Sequence, residues 1–229
     1  MGKSPTAYSN IFWHFTGSPT IKDNENVHKP ADLIKGKRTT KSEVDSIKKL
    51  KKILKSKTLL ATSREKIIDN IVTEKFCCVC DLPFKDLLTH SKYYGKVAVA
   101  FSSNSIYRDF NPVLYLNDAK LKIEKKRNFV TNDSTKNFIE RLFGSNLPKI
   151  QESMGQFKDY LKITSFDEDV NQTFYREREW RCLYDFKFNS KDVCALIVPK
   201  KYIFEIQNFL KKYKYKNISI ISWEVVEKA

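Results

Sequence analysis

The amino-acid sequence predicts an α+β fold of mixed, mainly antiparallel sheets flanked by helices, in one domain over residues 1–229. Three observations predict it. Short runs that alternate with a two-residue period, or that are dense in β-branched residues, recur along the chain, as at 8–16, 97–102 and 193–198. Apolar residues at helical spacing lie between such runs, most clearly at 41–57. Strands and helices do not alternate regularly, which argues against βαβ units and a parallel sheet.

Residues 8–16 form the first strand. Phe12, His14 and Thr16 share one face and Ile11, Trp13 and Phe15 the other, until Gly17-Ser18-Pro19 stops the run. Residues 20–40 are polar, punctuated by Pro30 and Gly36, and read as an exposed, mobile arm. The helix at 41–57 starts with a capping box of Thr40 and Glu43 and carries an apolar stripe of Val44, Ile47, Leu50 and Leu54. Lys48, Lys49, Lys51, Lys52 and Lys55 cover much of its remaining surface, where a phosphate backbone would relieve their mutual repulsion. A strand at 76–80 ends at Asp81-Leu82-Pro83, and a helix at 85–93 exits through Gly95. Strands at 97–102 and 112–116 bracket a turn or short helix bearing Ser105, Tyr107 and Arg108. Residues 117–134 are polar and basic; helices are expected at 135–143, capped by Gly144, and at 148–161. An acidic loop at 167–169 leads to a strand over 174–184, and the chain closes with strand 193–198, helix 200–212 and strand 218–226.

With 41% hydrophobic and 13% aromatic residues the chain fills one core, which excludes wholesale disorder. Its longest apolar runs, 97–101 and 195–198, are far too short to cross a bilayer, and no apolar signal stretch follows Met1, so a cytoplasmic protein is expected. Five cysteines, with one Cys-x-x-Cys among Cys77, Cys78 and Cys80, read as buried thiols on a strand, because Cys182 and Cys194 lack the spacing of a zinc site. The net charge of +15 is uneven: residues 1–66 carry 15 Lys and Arg against 6 Asp and Glu, a surplus of +9. Such a field attracts polyanions.

No phosphate-cradling glycine loop, dinucleotide fingerprint or paired metal-ligand motif is present, and three histidines leave little for histidine-based metal chemistry. His28 sits in the arm and reads as incidental. His14 lies within an apolar strand, where a lone histidine is either a satisfied core residue, the commoner case, or a site residue. The run Tyr175-Arg176-Glu177-Arg178-Glu179-Trp180-Arg181 would place Glu177, Glu179 and Arg181 on one strand face and Arg178 and Trp180 on the other. It is either a surface ladder of cross-strand ion pairs or a functional strand.

Several ordered motifs resemble a known family. They are Phe12-Trp13-His14-Phe15-Thr16-Gly17-Ser18; Ile53-Leu54-Lys55; Cys80-Asp81-Leu82-Pro83 with His90 and Tyr94-Gly95; Asn111-Pro112-Val113-Leu114-Tyr115; and Glu177-Arg178-Glu179-Trp180-Arg181. Together they resemble the AbiGi-type abortive-infection proteins of bacterial phage defence over most of the chain, with the basic segment 19–52 looking like an addition. More faintly they are similar to an ADP-ribosyltransferase core. That resemblance implies an ADP-ribosyltransferase-like fold using NAD as ADP-ribose donor and no metal. It implies catalytic Glu179 and Glu177, and cofactor binding by His14, Thr16, Tyr107 and Arg108, with Tyr107 stacked on nicotinamide. Glu179 is expected to stabilise the ribose cation and Glu177 to activate the acceptor. The charge favours nucleic acid as the target, RNA ahead of single-stranded DNA, gripped by Lys48, Lys49, Lys51, Lys52 and Lys55. A toxin of this kind implies a cognate antitoxin as partner. The alternatives are an NAD-depleting glycohydrolase, an antitoxin or interaction module that keeps the fold without catalysis, and a metal-free ribonuclease using His14 and the glutamates.

Overall fold

The computed structural model describes residues 10–21, 25, 27–68, 71–117, 155, 157–167, 169 and 171–228. In chain order its strands are β1 (Ile11–Phe15), β2 (Thr58–Leu59), β3 (Lys66–Ile68), β4 (Ile71–Val72), β5 (Cys77–Cys80), β6 (Ala98–Ser102), β7 (Asn111–Pro112), β8 (Leu114–Asn117), β9 (Leu161–Thr164), β10 (Glu179–Cys182), β11 (Phe186–Lys187), β12 (Val193–Val198) and β13 (Ser219–Ser222). The described α-helices are α1 (Pro30–Leu33), α2 (Glu43–Ser56), α3 (Leu87–Tyr94), α4 (Ser103–Asp109), α5 (Ile203–Lys212) and α6 (Trp223–Val226).

Seven strands build one sheet in the order β13-β12-β6-β1-β5-β10-β7. Every neighbouring pair is antiparallel except β12 with β13, so the fold is the mainly antiparallel, helix-flanked α+β arrangement that the pattern predicts. Alternation along the strands makes two cores. Phe12, Val79, Val99, Phe101, Leu196 and Val198 face the buried side of α2 (Ile47, Leu50, Ile53, Leu54) and of α5 (Ile206, Leu210). Trp13, Phe15, Cys80, Ala98, Ala100 and Ile197 face Leu87 of α3 and Trp223 and Val226 of α6. Leu50 and Leu54 are fully buried, and truncating either to Ala would cost about 2–5 kcal/mol.

Several local expectations change. Helix α2 starts at Glu43, because the Ser42 hydroxyl accepts the Asp45 N–H at 3.1 Å and so takes the cap from Thr40. Ile53 joins the buried stripe and Val44, half exposed, leaves it. The arm is not simply exposed: Pro30 and Leu33 of α1 are buried, with Leu33 packed among Tyr93, Phe174, Ile21 and Val27. The expected strand over 174–184 is broken. The Thr173 hydroxyl accepts the Tyr175 N–H at 3.1 Å, Tyr175–Glu177 form a 3-10 turn, and Arg178 takes a left-handed φ of 43° before β10 begins. The final strand stops at Ser222, where α6 takes over. Of the helix expected at 148–161, Phe157–Tyr160 form a 3-10 turn and Leu161 opens β9, paired in parallel with Leu114. The helix expected at 135–143 lies outside the described residues.

Strand β1 pairs with β6 over five residues but shares a single register pair with β5, Trp13 with Cys80. Beyond it the two strands part. The sheet is therefore open on one side of its central strand, and the chain's polar groups gather at that opening.

Candidate active site

A cavity of about 390 Å³ sits at the opening, and His14, Glu177, Glu179, Lys162, His90 and Tyr94 are among the residues that line it. The sequence-predicted histidine and both glutamates therefore meet in one cleft. His14 crosses the gap between β1 and β5, with Nδ1 2.9 Å from the Cys78 carbonyl. A carbonyl only accepts, so Nδ1 carries the proton and Nε2 presents a lone pair. Burial first, and then the nearby Lys49, pull the pKa of the ring down to about 3, so it is neutral. Nε2 is buried and has no hydrogen-bond partner.

The two glutamates differ. Burial alone would raise the pKa of Glu179, but Arg181 and Lys162 outweigh it and hold the carboxyl at about 2. Arg181 Nε donates to Glu179 Oε1 at 2.7 Å and Lys162 Nζ to Oε2 at 2.6 Å. Glu65 closes the cluster, bonded to Arg181 and 3.2 Å from Lys162. Arg181 also donates to the carbonyls of Asp159 (2.8 Å) and Leu161 (3.4 Å), and its guanidinium lies 4.1 Å from the centre of the Phe76 ring. Glu177 has no such pair. Its nearest cation is Lys162 at 3.6 Å, and its Oε1 is buried without a hydrogen-bond partner. Burial, only partly offset by Lys162, raises its pKa to about 7. His90 Nδ1 is 3.9 Å from that oxygen, beyond hydrogen-bond reach. Burial, followed by Lys162, depresses His90 to about 3 as its ring stacks on Tyr94 at 4.1 Å.

The other predicted cofactor residues lie elsewhere. Thr16 is fully buried, and its hydroxyl donates to the carbonyls of Ser46 (2.9 Å) and Val97 (3.3 Å), tying β1 to α2. Tyr107 packs against Phe12 and Trp180, on the opposite side of the sheet from Trp13 and Cys80, and lines a different cavity. Arg108 is exposed and paired with its neighbour Asp109 at 2.7 Å. The α2 lysines divide as well. Lys49 turns into the His14 cavity, where burial and then Lys41 lower its pKa. Lys51 is bonded to Glu205 of α5. Lys48, Lys52 and Lys55, one helical face by spacing, remain exposed.

Sequence reasoning missed Lys162 and Glu65. The signal for Lys162 was a lone lysine between Leu161 and Ile163 in an apolar run, which a strand buries. Glu65 carries none, since it lies 97 positions before Lys162 in the chain. The three strand cysteines are free thiols, with Cys77 and Cys80 buried. Among the described residues no group of His, Cys, Asp and Glu could hold a metal ion, and no helix is long and apolar enough to cross a membrane.

Comparison with solved structures finds two of DarT from Thermus sp. 2.9, one bound to carba-NAD+ at 10% identity and one bound to NAD+ at 11%. Each alignment covers 96% of this chain and 98% or 99% of the other, with a TM-score of 0.40. No match was found among curated proteins. A family model described as "Putative abortive phage resistance protein AbiGi, antitoxin" matches residues 49–224, the stretch that holds His90, Lys162, Glu177 and Glu179 but not the Phe12–Ser18 motif. The chain belongs to the AbiGi family of abortive phage resistance proteins.

Proposed function

We propose that this chain is an NAD-dependent ADP-ribosyltransferase, the toxin of an abortive-infection system, with a nucleic acid as acceptor and RNA ahead of single-stranded DNA. One observation carries the reading: a neutral imidazole with a buried, unpartnered acceptor at Nε2 lines the same cavity as one ionised and one poised carboxylate. Unpartnered buried polar atoms are rare and call for an explanation, of which a bound ligand is one. A lone acceptor fits a hydroxyl donor such as a ribose, and a cavity of this size fits a small molecule.

NAD supplies a ribose joined to nicotinamide, and cleavage of that bond places positive charge on the ribose carbon, as in glycoside hydrolysis. The bonding pair leaves with nicotinamide. Glu179 stays ionised at every physiological pH and serves to stabilise that charge. His14 Nε2 accepts from a ribose hydroxyl, and Lys41 and Lys49, which also line the cavity, suit a diphosphate. Glu177, with a pKa near 7, is matched to a general base that takes the proton of the attacking group as its new bond to the ribose carbon forms.

A second reading, a non-catalytic antitoxin or interaction module, is favoured by the family's description and by the two cations that already neutralise Glu179. Labelled NAD incubated with the protein and total RNA or single-stranded DNA separates the two. Label on the nucleic acid is the expected result, lowered about 10²–10³-fold in Glu179→Gln. Free ADP-ribose alone would make the chain a glycohydrolase. No NAD turnover by the parent chain would leave the antitoxin reading.

A further inference from the structure

The Glu177-Arg178-Glu179 turn has a second side. A cavity of about 760 Å³ opens there, lined by Tyr107, Trp180, Tyr115, Tyr175, Arg176 and Arg178, and Glu179 borders both this cavity and the one that holds His14. The left-handed backbone of Arg178 divides the chain between them: Glu177 lines the first, while Tyr175, Arg176 and Arg178 line the second.

The second cavity carries two aromatic pairs. Tyr107 and Trp180 lie 5.3 Å apart at 40°, and Tyr115 and Tyr175 lie 5.6 Å apart near perpendicular. Trp180 is half-buried and Tyr175 is 58% exposed, so each offers ring surface to a guest. The Tyr107 hydroxyl is buried without a hydrogen-bond partner. The Tyr115 hydroxyl accepts the Glu179 N–H at 2.8 Å, which fixes one aromatic wall directly to the glutamate strand. Arg178 is held by Asp81 at 3.7 Å, and Asp86 also lines the cavity, so Arg176 is the arginine placed to supply a phosphate contact and further stacking surface.

We propose that this second cavity receives an unpaired nucleobase of a single-stranded nucleic acid. The base stacks on Trp180 and Tyr175, and Arg176 meets its backbone. Stacking needs a base whose faces are free, which a duplex denies and a single strand offers. The net charge of +15 favours a polyanion over a neutral peptide as the guest. The inference rests on the nucleic-acid acceptor proposed above and adds its place: donor and acceptor enter from opposite sides of one glutamate turn.

Tryptophan emission tests this without NAD. Trp13 and Trp223 are buried, at 4% and 1% exposure, so quenching by a bound strand reports on Trp180. The full chain is titrated with 12-nucleotide single strands of DNA and RNA, with the corresponding duplexes, and with poly-glutamate, the nucleic acids fluorescein-labelled for anisotropy and unlabelled for emission. Anisotropy reports binding and emission reports the cavity. Single strands are expected to quench Trp180 and duplexes to leave it unchanged. Tyr175→Ala, at an exposed position that the fold tolerates, is expected to weaken single-strand binding between about five-fold and a hundred-fold, and Trp180→Phe to abolish the quenching. Strands that bind with unchanged emission, and equally well to Tyr175→Ala, would overturn the cavity and leave the nucleic-acid acceptor standing. Equal quenching by poly-glutamate would also overturn it. No binding by any strand would overturn the acceptor reading itself.

Discussion

Lysines behave in opposite ways in two regions of this molecule. Lys162 is buried, 6% exposed, with the Phe174 ring at 4.1 Å; burial would lower its pKa, but carboxylates at 2.6, 3.2 and 3.6 Å raise it well above the ordinary value. On the outer face of α2, Lys48, Lys52 and Lys55 stand in solvent, and the ion pair of Lys48 with Asp45 spans 3.7 Å between exposed side chains. The buried cluster is fixed by geometry and tolerates no missing partner, because each charge left alone would face a low dielectric. The exposed stripe is screened by salt and contributes almost nothing to folding. Charge count therefore says little; burial decides whether a lysine organises a site or merely offers a field.

The largest expected effect breaks the buried side. Arg181→Met removes the partner of Glu179 and Glu65 and strands two backbone carbonyls, so urea unfolding should show a loss of about 3–5 kcal/mol. A loss below about 1 kcal/mol would mean that the cluster does not hold the fold. A smaller effect comes from Glu177. Its folded pKa of about 7 lies above the ordinary 4.5, so the folded state binds the extra proton. Stability should therefore fall as pH rises from about 4.5 to 7, by on the order of 3 kcal/mol at most, and level off above. Glu177→Gln should abolish that slope, and with it the rise in transfer rate through pH 7 that a general base imposes. A slope unchanged by the substitution would place the titration elsewhere. The smallest effect sharpens the exposed side. Lys48, Lys52 and Lys55 changed together to Gln should alter stability by less than about 0.5 kcal/mol. The salt dependence of oligonucleotide binding should flatten by about 0.7–0.9 per lost phosphate contact. An unchanged salt slope would remove α2 from the binding surface.

The apolar framework was legible because it is local. Residues 193–198 form a strand as their β-branched density implies, Gly95 ends α3 with φ 80°, and Ile47, Leu50 and Leu54 bury the face of α2 that helical spacing selects. Glu177 and Glu179 were expected to share a cleft because they would share a strand face. They share the cleft, but across a 3-10 turn and a left-handed arginine that nothing in an alternating charged run announces. Tyr107 and Arg108 were assigned by resemblance alone, and packing against Phe12 and Trp180 carries that segment away from His14. Lys162 and Glu65 escaped because their partnership is tertiary: the apolar neighbours of Lys162 signal its burial, but no local pattern names the three carboxylates that meet it.

The two nitrogens of His14 stand in different situations. Its Nδ1 satisfies the Cys78 carbonyl where β1 and β5 part, while Nε2 on the same ring is a buried acceptor without a hydrogen-bond partner. A relative without the proposed chemistry would still lose a satisfied carbonyl by replacing this ring, so a histidine here cannot by itself distinguish a protein with that chemistry from one that has only the shape. Glu177 discriminates better, since its Oε1 has no hydrogen-bond partner and its carboxyl meets Lys162 only at 3.6 Å.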